Sequence, residues 1–173
     1  MRGPHTAPHG RIFTAAFSAQ ISSGAAERDI FELKGSTDTR MKLLGFTLAQ
    51  HTEVAGASET RCPIEVLTGA VTAAAGGSTL PSLRYDGHPV GATAKAVCVH
   101  NSTTVAGAAS DETLRFADAW NMFEKYEYKP PRHMQIESSL NGRINVRMGI
   151  GSSMLISGTI TWQETGKVPG ESL

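Results

Sequence analysis

Gly149-Ile150-Gly151-Ser152-Ser153-Met154 opens like the glycine-rich turn that cradles a dinucleotide's pyrophosphate. That turn needs a third glycine, so that the following helix can close on its strand, and a helix N-terminus to face the phosphates. Met154 stands in the third glycine's place and an alternating segment follows it, so a strand is expected here and a nucleotide site is not. The chain has no G-x-x-x-x-G-K-[ST], and none of its serines sits in G-x-S-x-G. The signatures of P-loop phosphoryl transfer and of elbow-type hydrolases are therefore missing. His5, His9, His51, His88, His100 and His133 fall on expected arms, loops or strand ends. Only His5 and His9 share an i, i+4 spacing, in a proline-containing arm, so surface histidines rather than metal ligands are expected.

Cys62 and Cys98 lie far apart and outside any C-x-x-C spacing, which predicts two reduced, buried thiols. The carboxylates are scattered. A glycosidase pair can still meet from distant positions, and the check is two acids facing each other across a cleft at roughly 5 to 10 Å. Trp120, Tyr126 and Tyr128 would suit a sugar-stacking platform if exposed, but aromatics on an alternating face are expected in the core. Asn101-Ser102-Thr103 matches a glycosylation acceptor, and without a secretion signal it is taken as a turn. No residue is assigned a catalytic, cofactor-binding or metal-binding role, and no cofactor is expected.

A chain of 173 residues suggests one domain, long enough to bury a core. Sixteen basic and sixteen acidic residues cancel, and neither sign forms a block. That balance argues against a nucleic-acid or anionic-membrane partner. The apolar runs fall short of the roughly 20 residues of a membrane span, and the N-terminus lacks a signal peptide's apolar centre. A soluble protein made in the cytosol is expected.

The elements that would hold these residues read as strands. Residues 113 to 128 carry five of the eleven aromatics, with Leu114, Phe116, Trp120, Met122, Tyr126 and Tyr128 at one parity, broken by Asp118 and Glu124. This favours a strand over the competing helix that Phe116, Trp120 and Phe123 would stripe, and the stretch is expected to be the central element. Residues 11 to 21 alternate through Phe13, Ala15 and Phe17. A strand follows at about 28 to 34, with Phe31 and Leu33 opposed to Ile30. Another spans 41 to 50, with Leu44, Phe46 and Leu48 on one face and Leu43 on the other. Cys62, Ile64, Val66, Thr68 and Ala70 mark a fourth, with Pro63 setting an edge or bulge at its start.

The segment from 73 to 92 is a long contact or functional loop, 94 to 100 is a weaker strand, and 101 to 111 is loop. Met134 and Ile136 share a parity with Ile144, Val146 and Met148. A three-residue loop at Leu140-Asn141-Gly142, with glycine left-handed, would pair Ser139 with Arg143 and Ile136 with Val146 in a bulged hairpin. The last strand, about 154 to 163, puts Met154, Ile156, Ile160 and Trp162 on one face. About nine short strands predict an all-β, antiparallel, jelly-roll-like β-sandwich over residues 11 to 166, with an extended arm at 1 to 10 and a polar tail at 167 to 173.

Four stretches, R-I-F-T-A-A-F, R-M-K-L-L-G-F-T-L-A-Q, F-A-D-A-W-N-M and I-S-G-T-I-T-W-Q-E-T-G, carry a resemblance. Together they are similar to small β-rich proteins encoded beside the head genes of tailed bacteriophages and prophages. The resemblance implies a non-enzymatic capsid decoration, cement or minor capsid protein on the virion surface. It would bind the major capsid protein and other copies of itself, as a homo-oligomer with a trimer favoured, and the arm at 1 to 10 would aid incorporation. The alternative it leaves is a receptor- or glycan-binding module of a head fibre or tail, using the 73 to 92 loop or exposed aromatics.

Overall fold

The computed structural model describes residues 11–21, 27–51, 61–85, 94–106, 112–149 and 153–166. These residues form β1 (Arg11–Ile21), β2 (Glu27–Lys34), β3 (Thr39–Gln50), β4 (Arg61–Thr68), β5 (Ser78–Leu80) and β6 (Leu83–Arg84). They continue with β7 (Val97–Ser102), β8 (Thr113–Asn121), β9 (Tyr126–Tyr128), β10 (Ile136–Glu137), β11 (Arg143–Gly149) and β12 (Met154–Gly166). A single 3-10 turn, Arg132–Met134, precedes β10. The expected arm at 1–10 and tail at 167–173 lie outside the described residues, as do His5, His9 and His88.

Two six-stranded antiparallel sheets face each other. One runs β10-β3-β12-β1-β6, with β9 also paired to β3, and the other runs β5-β7-β2-β11-β4-β8. We call them sheet A and sheet B. The expected antiparallel β-sandwich is what forms, and alternation explains it, since each strand offers one apolar face to a shared core. Phe13, Ile21, Ile156, Ile160 and Trp162 from sheet A and Phe31, Leu33, Ile144, Val146 and Met148 from sheet B are fully buried there. Phe17 meets Phe31 edge-on across the sandwich at 5.2 Å. Gly158, in the middle of β12, leaves the space that Phe17, Leu48 and Phe31 fill.

Three expectations about facing are corrected. The 113–128 stretch is not central but splits into β8, on the edge of sheet B, and β9, on the edge of sheet A. It closes one side of the sandwich, where Tyr128 packs on Phe46 and meets Phe116 of the opposite sheet at 4.6 Å. In β3 the pairing with β12 steps from Trp162↔Leu43 to Thr161↔Gly45, so Leu44 is an extra residue. That bulge switches parity, sending Leu43 into the core and Leu44 outward, the reverse of strict alternation.

The 134–148 hairpin also does not form, because β10 pairs with β3 in sheet A while β11 pairs with β2 and β4 in sheet B. Ser138 binds Met41 through its amide and its hydroxyl, which holds this segment on sheet A. The left-handed residue of the turn is Asn141, at φ 53, rather than Gly142. Asparagine tolerates that region better than most side chains do. Met134 is left exposed.

The expected loop at 73–92 includes β5 and β6, which join different sheets. Asn101 and Ser102 end β7 rather than forming a free turn, with Asn101 left-handed at φ 53. Pro63 lies at the start of β4, past the last pair with β11, Met148↔Ile64, so its missing amide interrupts no bond on that side. No helix among the described residues is long and apolar enough to cross a membrane.

Candidate functional site

Two outward faces carry the polar residues, and they differ in kind. On sheet B the strands β2 and β11 lie side by side, and their outward side chains, Asp29, Glu32, Arg143, Asn145 and Arg147, are buried. The bulge at Ile30, skipped between Val146↔Phe31 and Arg147↔Asp29, keeps Asp29 opposite Arg147. Two segments lie over these charges, residues 69–77 between β4 and β5 and, of the β7–β8 connection, the described residues 103–106 and 112. They bridge each other through Ala75 and Thr104.

Each connection is fastened by one arginine. Arg143 donates Nε to Glu32 Oε1 at 3.0 Å and Nη1 to the carbonyls of Ala70 and Val71, while the Ala74 amide donates to Glu32 Oε2. Arg147 donates Nε to Asp29 Oδ1 at 3.0 Å, both terminal nitrogens to Glu112, and Nη2 to the Ala106 carbonyl. Asp29 Oδ2 accepts from the Ala106 amide and from Asn145 Nδ2. Burial pushes the Asp29 and Glu32 carboxyls up, opposed by the Ala106 and Ala74 amides and by the arginines. For Arg147 burial acts downward, and its bonds to Glu112 and Asp29 outweigh it and raise the group. Asp29 and Glu112 are thus brought together, but around a shared guanidinium that occupies them both under cover. A pair so placed cannot serve as the acid and base of a cleft.

The outward face of sheet A holds a groove of about 320 Å³. Its origin is in the register. Across β12, β3 and β9 one row reads Thr159–Thr47–Glu127, and the adjacent row has Thr161 opposite Gly45, next to Lys129. Glycine is required at 45, since a Cβ there would stand 2.5 Å from the Tyr128 carbonyl. The missing side chain opens the floor, with Ile12 and the bulged Leu44 alongside. Tyr85, just past β6, stands at the β1 side with its ring largely exposed, and its amide is held by the Ile12 carbonyl at 3.0 Å. Among the described residues, the lining has one carboxylate and one amine, and no histidine, cysteine or serine.

The residues weighed from sequence are placed elsewhere. Trp120 and Tyr128 are core residues, and Tyr126 is half-buried on Phe46 with its hydroxyl donating to Asp118. None of the three is a free platform. Tyr85 fell within the anticipated contact loop, but its exposure had no signal in a Gly-, Ser- and Pro-rich stretch. Cys62 and Cys98 are buried free thiols, as expected, and burial pushes Cys98 up to about 12. His51 bonds Ser157, His133 is exposed on the 3-10 turn, and His100 stacks on Phe17 at 4.7 Å. The described residues contain no group of three His, Cys, Asp or Glu suited to a metal ion. Met154 begins a strand after residues 150–152, which lie outside the described residues, so the glycine pair at 149 and 151 leads into β12 and not into a helix. No protein-family model matches the chain, and no curated protein matches it.

Proposed function

We propose that this protein is a non-catalytic structural component of a virus particle, decorating or cementing a tailed-phage head as a homo-oligomer bound to the major capsid protein. The observation that carries the non-catalytic part is the placement of ionisable groups. The buried acids and arginines fasten two straps over sheet B, and among the described residues the groove on sheet A offers a single carboxylate, with no histidine or second acid to activate the threonine hydroxyls beside it. Bond-breaking sites need paired or activated groups, whereas recognition surfaces do not. The virion part rests on the resemblance, and three of its four stretches are neighbours, β3-β12-β1, at the centre of sheet A. The shared pattern is therefore one of scaffold strands, which suits a structural role. Quantitative mass spectrometry of particles purified from the phage or prophage that encodes the chain tests it. A copy number comparable with the major shell protein is expected, and absence from the particles overturns the proposal.

A second proposal, a receptor- or glycan-binding module on a fibre or tail, gains one specific support. An exposed aromatic, Tyr85, borders the groove, and it belongs to the 73–92 stretch. A copy number far below that of the shell protein would favour it.

A further inference from the structure

Resting on the receptor-binding proposal, we infer that the groove on the outer face of sheet A is a saccharide site. It takes a pyranose ring with its C–H face against Tyr85 and its hydroxyls against Thr47, Thr159 and Glu127.

Four observations lead there. The wall is amphipathic: Ile12 and Leu44 lie beside three threonines, and each threonine hydroxyl can donate and accept. The hydroxyls of Thr47 and Thr159 and the charges of Glu127 and Lys129 have no side-chain partner among the described residues, so they are free to bind a ligand. Tyr85 is 68 % exposed, and an aromatic ring left in water beside a groove is a stacking surface without a partner. The groove's volume, about 320 Å³, falls at the small end of ligand sites, which run to roughly 1,000 Å³. That size favours a terminal sugar over a long chain.

Other ligand classes fit less well. β12 is paired on both sides, to β1 and to β3, and the edge strand that borders the groove, β9, is only three residues long, so it offers little backbone for an extended peptide to join. A purely apolar ligand would cover the threonine hydroxyls and Glu127 without bonding them, which is unfavourable. A phosphate would find one cation, Lys129, beside a carboxylate, rather than a cluster of donors. A sugar presents an apolar face and a rim of hydroxyls at once, and the groove's two kinds of wall are matched to that combination.

The experiment is a glycan array of bacterial and eukaryotic surface glycans probed with the full chain, followed by titration of the free saccharide from the strongest hit. Tyr85→Ala should weaken that saccharide about tenfold or more, equivalent to at least about 1.4 kcal/mol, while Tyr85→Phe, which keeps the ring, should bind nearly as the parent does. Glu127→Gln and Thr159→Val should each weaken it as well. Tyr85, Glu127 and Thr159 are exposed, so an unchanged melting temperature will show that the variants fold. If the parent binds a glycan and all these variants bind it equally, the groove assignment is overturned while the receptor-binding proposal stands. If the parent binds none, both fall.

Discussion

Replacing Arg147 by methionine tests the claim that buried charge holds the straps in place. The side chain is 8 % exposed, its partner Asp29 is fully buried and Glu112 is 10 % exposed. Methionine fills much of the space but removes one hydrogen bond to Asp29, two to Glu112 and one to the Ala106 carbonyl. Asp29 keeps only its neutral donors, Asn145 and the Ala106 amide. Breaking a buried pair on one side costs about 3–5 kcal/mol, because the remaining charge stays desolvated. In a chain of this size each kcal/mol moves the midpoint by about 2–4 °C, so melting should fall by about 6–20 °C. Calorimetry and urea denaturation at pH 7 measure the loss, and hydrogen exchange at the Ala106 amide reports the strap itself. Adding Asp29→Asn to the same chain should return much of the stability by removing the stranded charge. Lys95→Ala, which breaks an exposed pair with Asp38, should leave the midpoint nearly unchanged. A loss under about 1 kcal/mol for Arg147→Met would refute the reasoning, since it would put this pair on a level with surface pairs.

His100 should give stability a dependence on pH. Burial lowers its pKa below the ordinary 6.5, so in acid the unfolded chain binds a proton that the folded chain resists. The contribution is whole above pH 6.5 and is lost as pH falls toward the folded value, so the urea midpoint should drop between pH 7.5 and 5.5, and less so in His100→Phe. An identical drop in the variant would rule this out. Gly158→Ala should destabilise by about 1–3 kcal/mol, as its Cβ would stand 2.7 Å from Phe17 and 2.9 Å from Leu48 in a packed core. Gly166→Ala, with nothing within 4 Å, is the control in the same denaturation series, and equal midpoints for the two variants would refute the packing argument.

The sandwich was legible because β1 and β12 alternate without interruption, and period 2 is the one signal a single strand carries by itself. Strict alternation misplaces Leu43 and Leu44 because a bulge depends on the partner strand, and nothing in M-K-L-L-G-F announces one residue too many. The lost hairpin has a similar cause: Ile136 and Val146 are compatible as a pair, but Ser138 binds Met41 more than ninety positions away. The charged network left a clearer trace. Glu32 in β2 and Arg143, Asn145 and Arg147 in β11 alternate with apolar residues, which alone reads as a solvated face. Only the β2–β11 register reveals that the signs are opposed, and only the crossing connections reveal that the face is covered. Tyr85 had no trace, since exposure at a groove is a property of the assembled sheet.

The same features constrain how copies of the chain could associate. Sheet edges invite pairing with another chain, and four of the edge strands, β5, β6, β9 and β10, are only two or three residues long. β8 is longer, at nine residues, and it is guarded twice. Arg115 is an extra residue between Val66↔Phe116 and Leu67↔Leu114, which kinks the strand. Asp118 shares the parity of Phe116 and Trp120, so a charge sits on the strand's core-facing side and binds the Tyr126 hydroxyl. A second chain extending sheet B at β8 would have to match the kink and desolvate Asp118. Sheet B's outward face is already covered by its straps, and among the described residues the outward face of sheet A has no such cover. Association through that face would compete with a saccharide for Tyr85 and the threonine rows, so the structural and receptor-binding proposals make opposed demands on one surface. A glycan that binds the isolated chain but not the particle-bound chain would place the shell contact on sheet A. Equal binding in both states would place the contact elsewhere on the molecule.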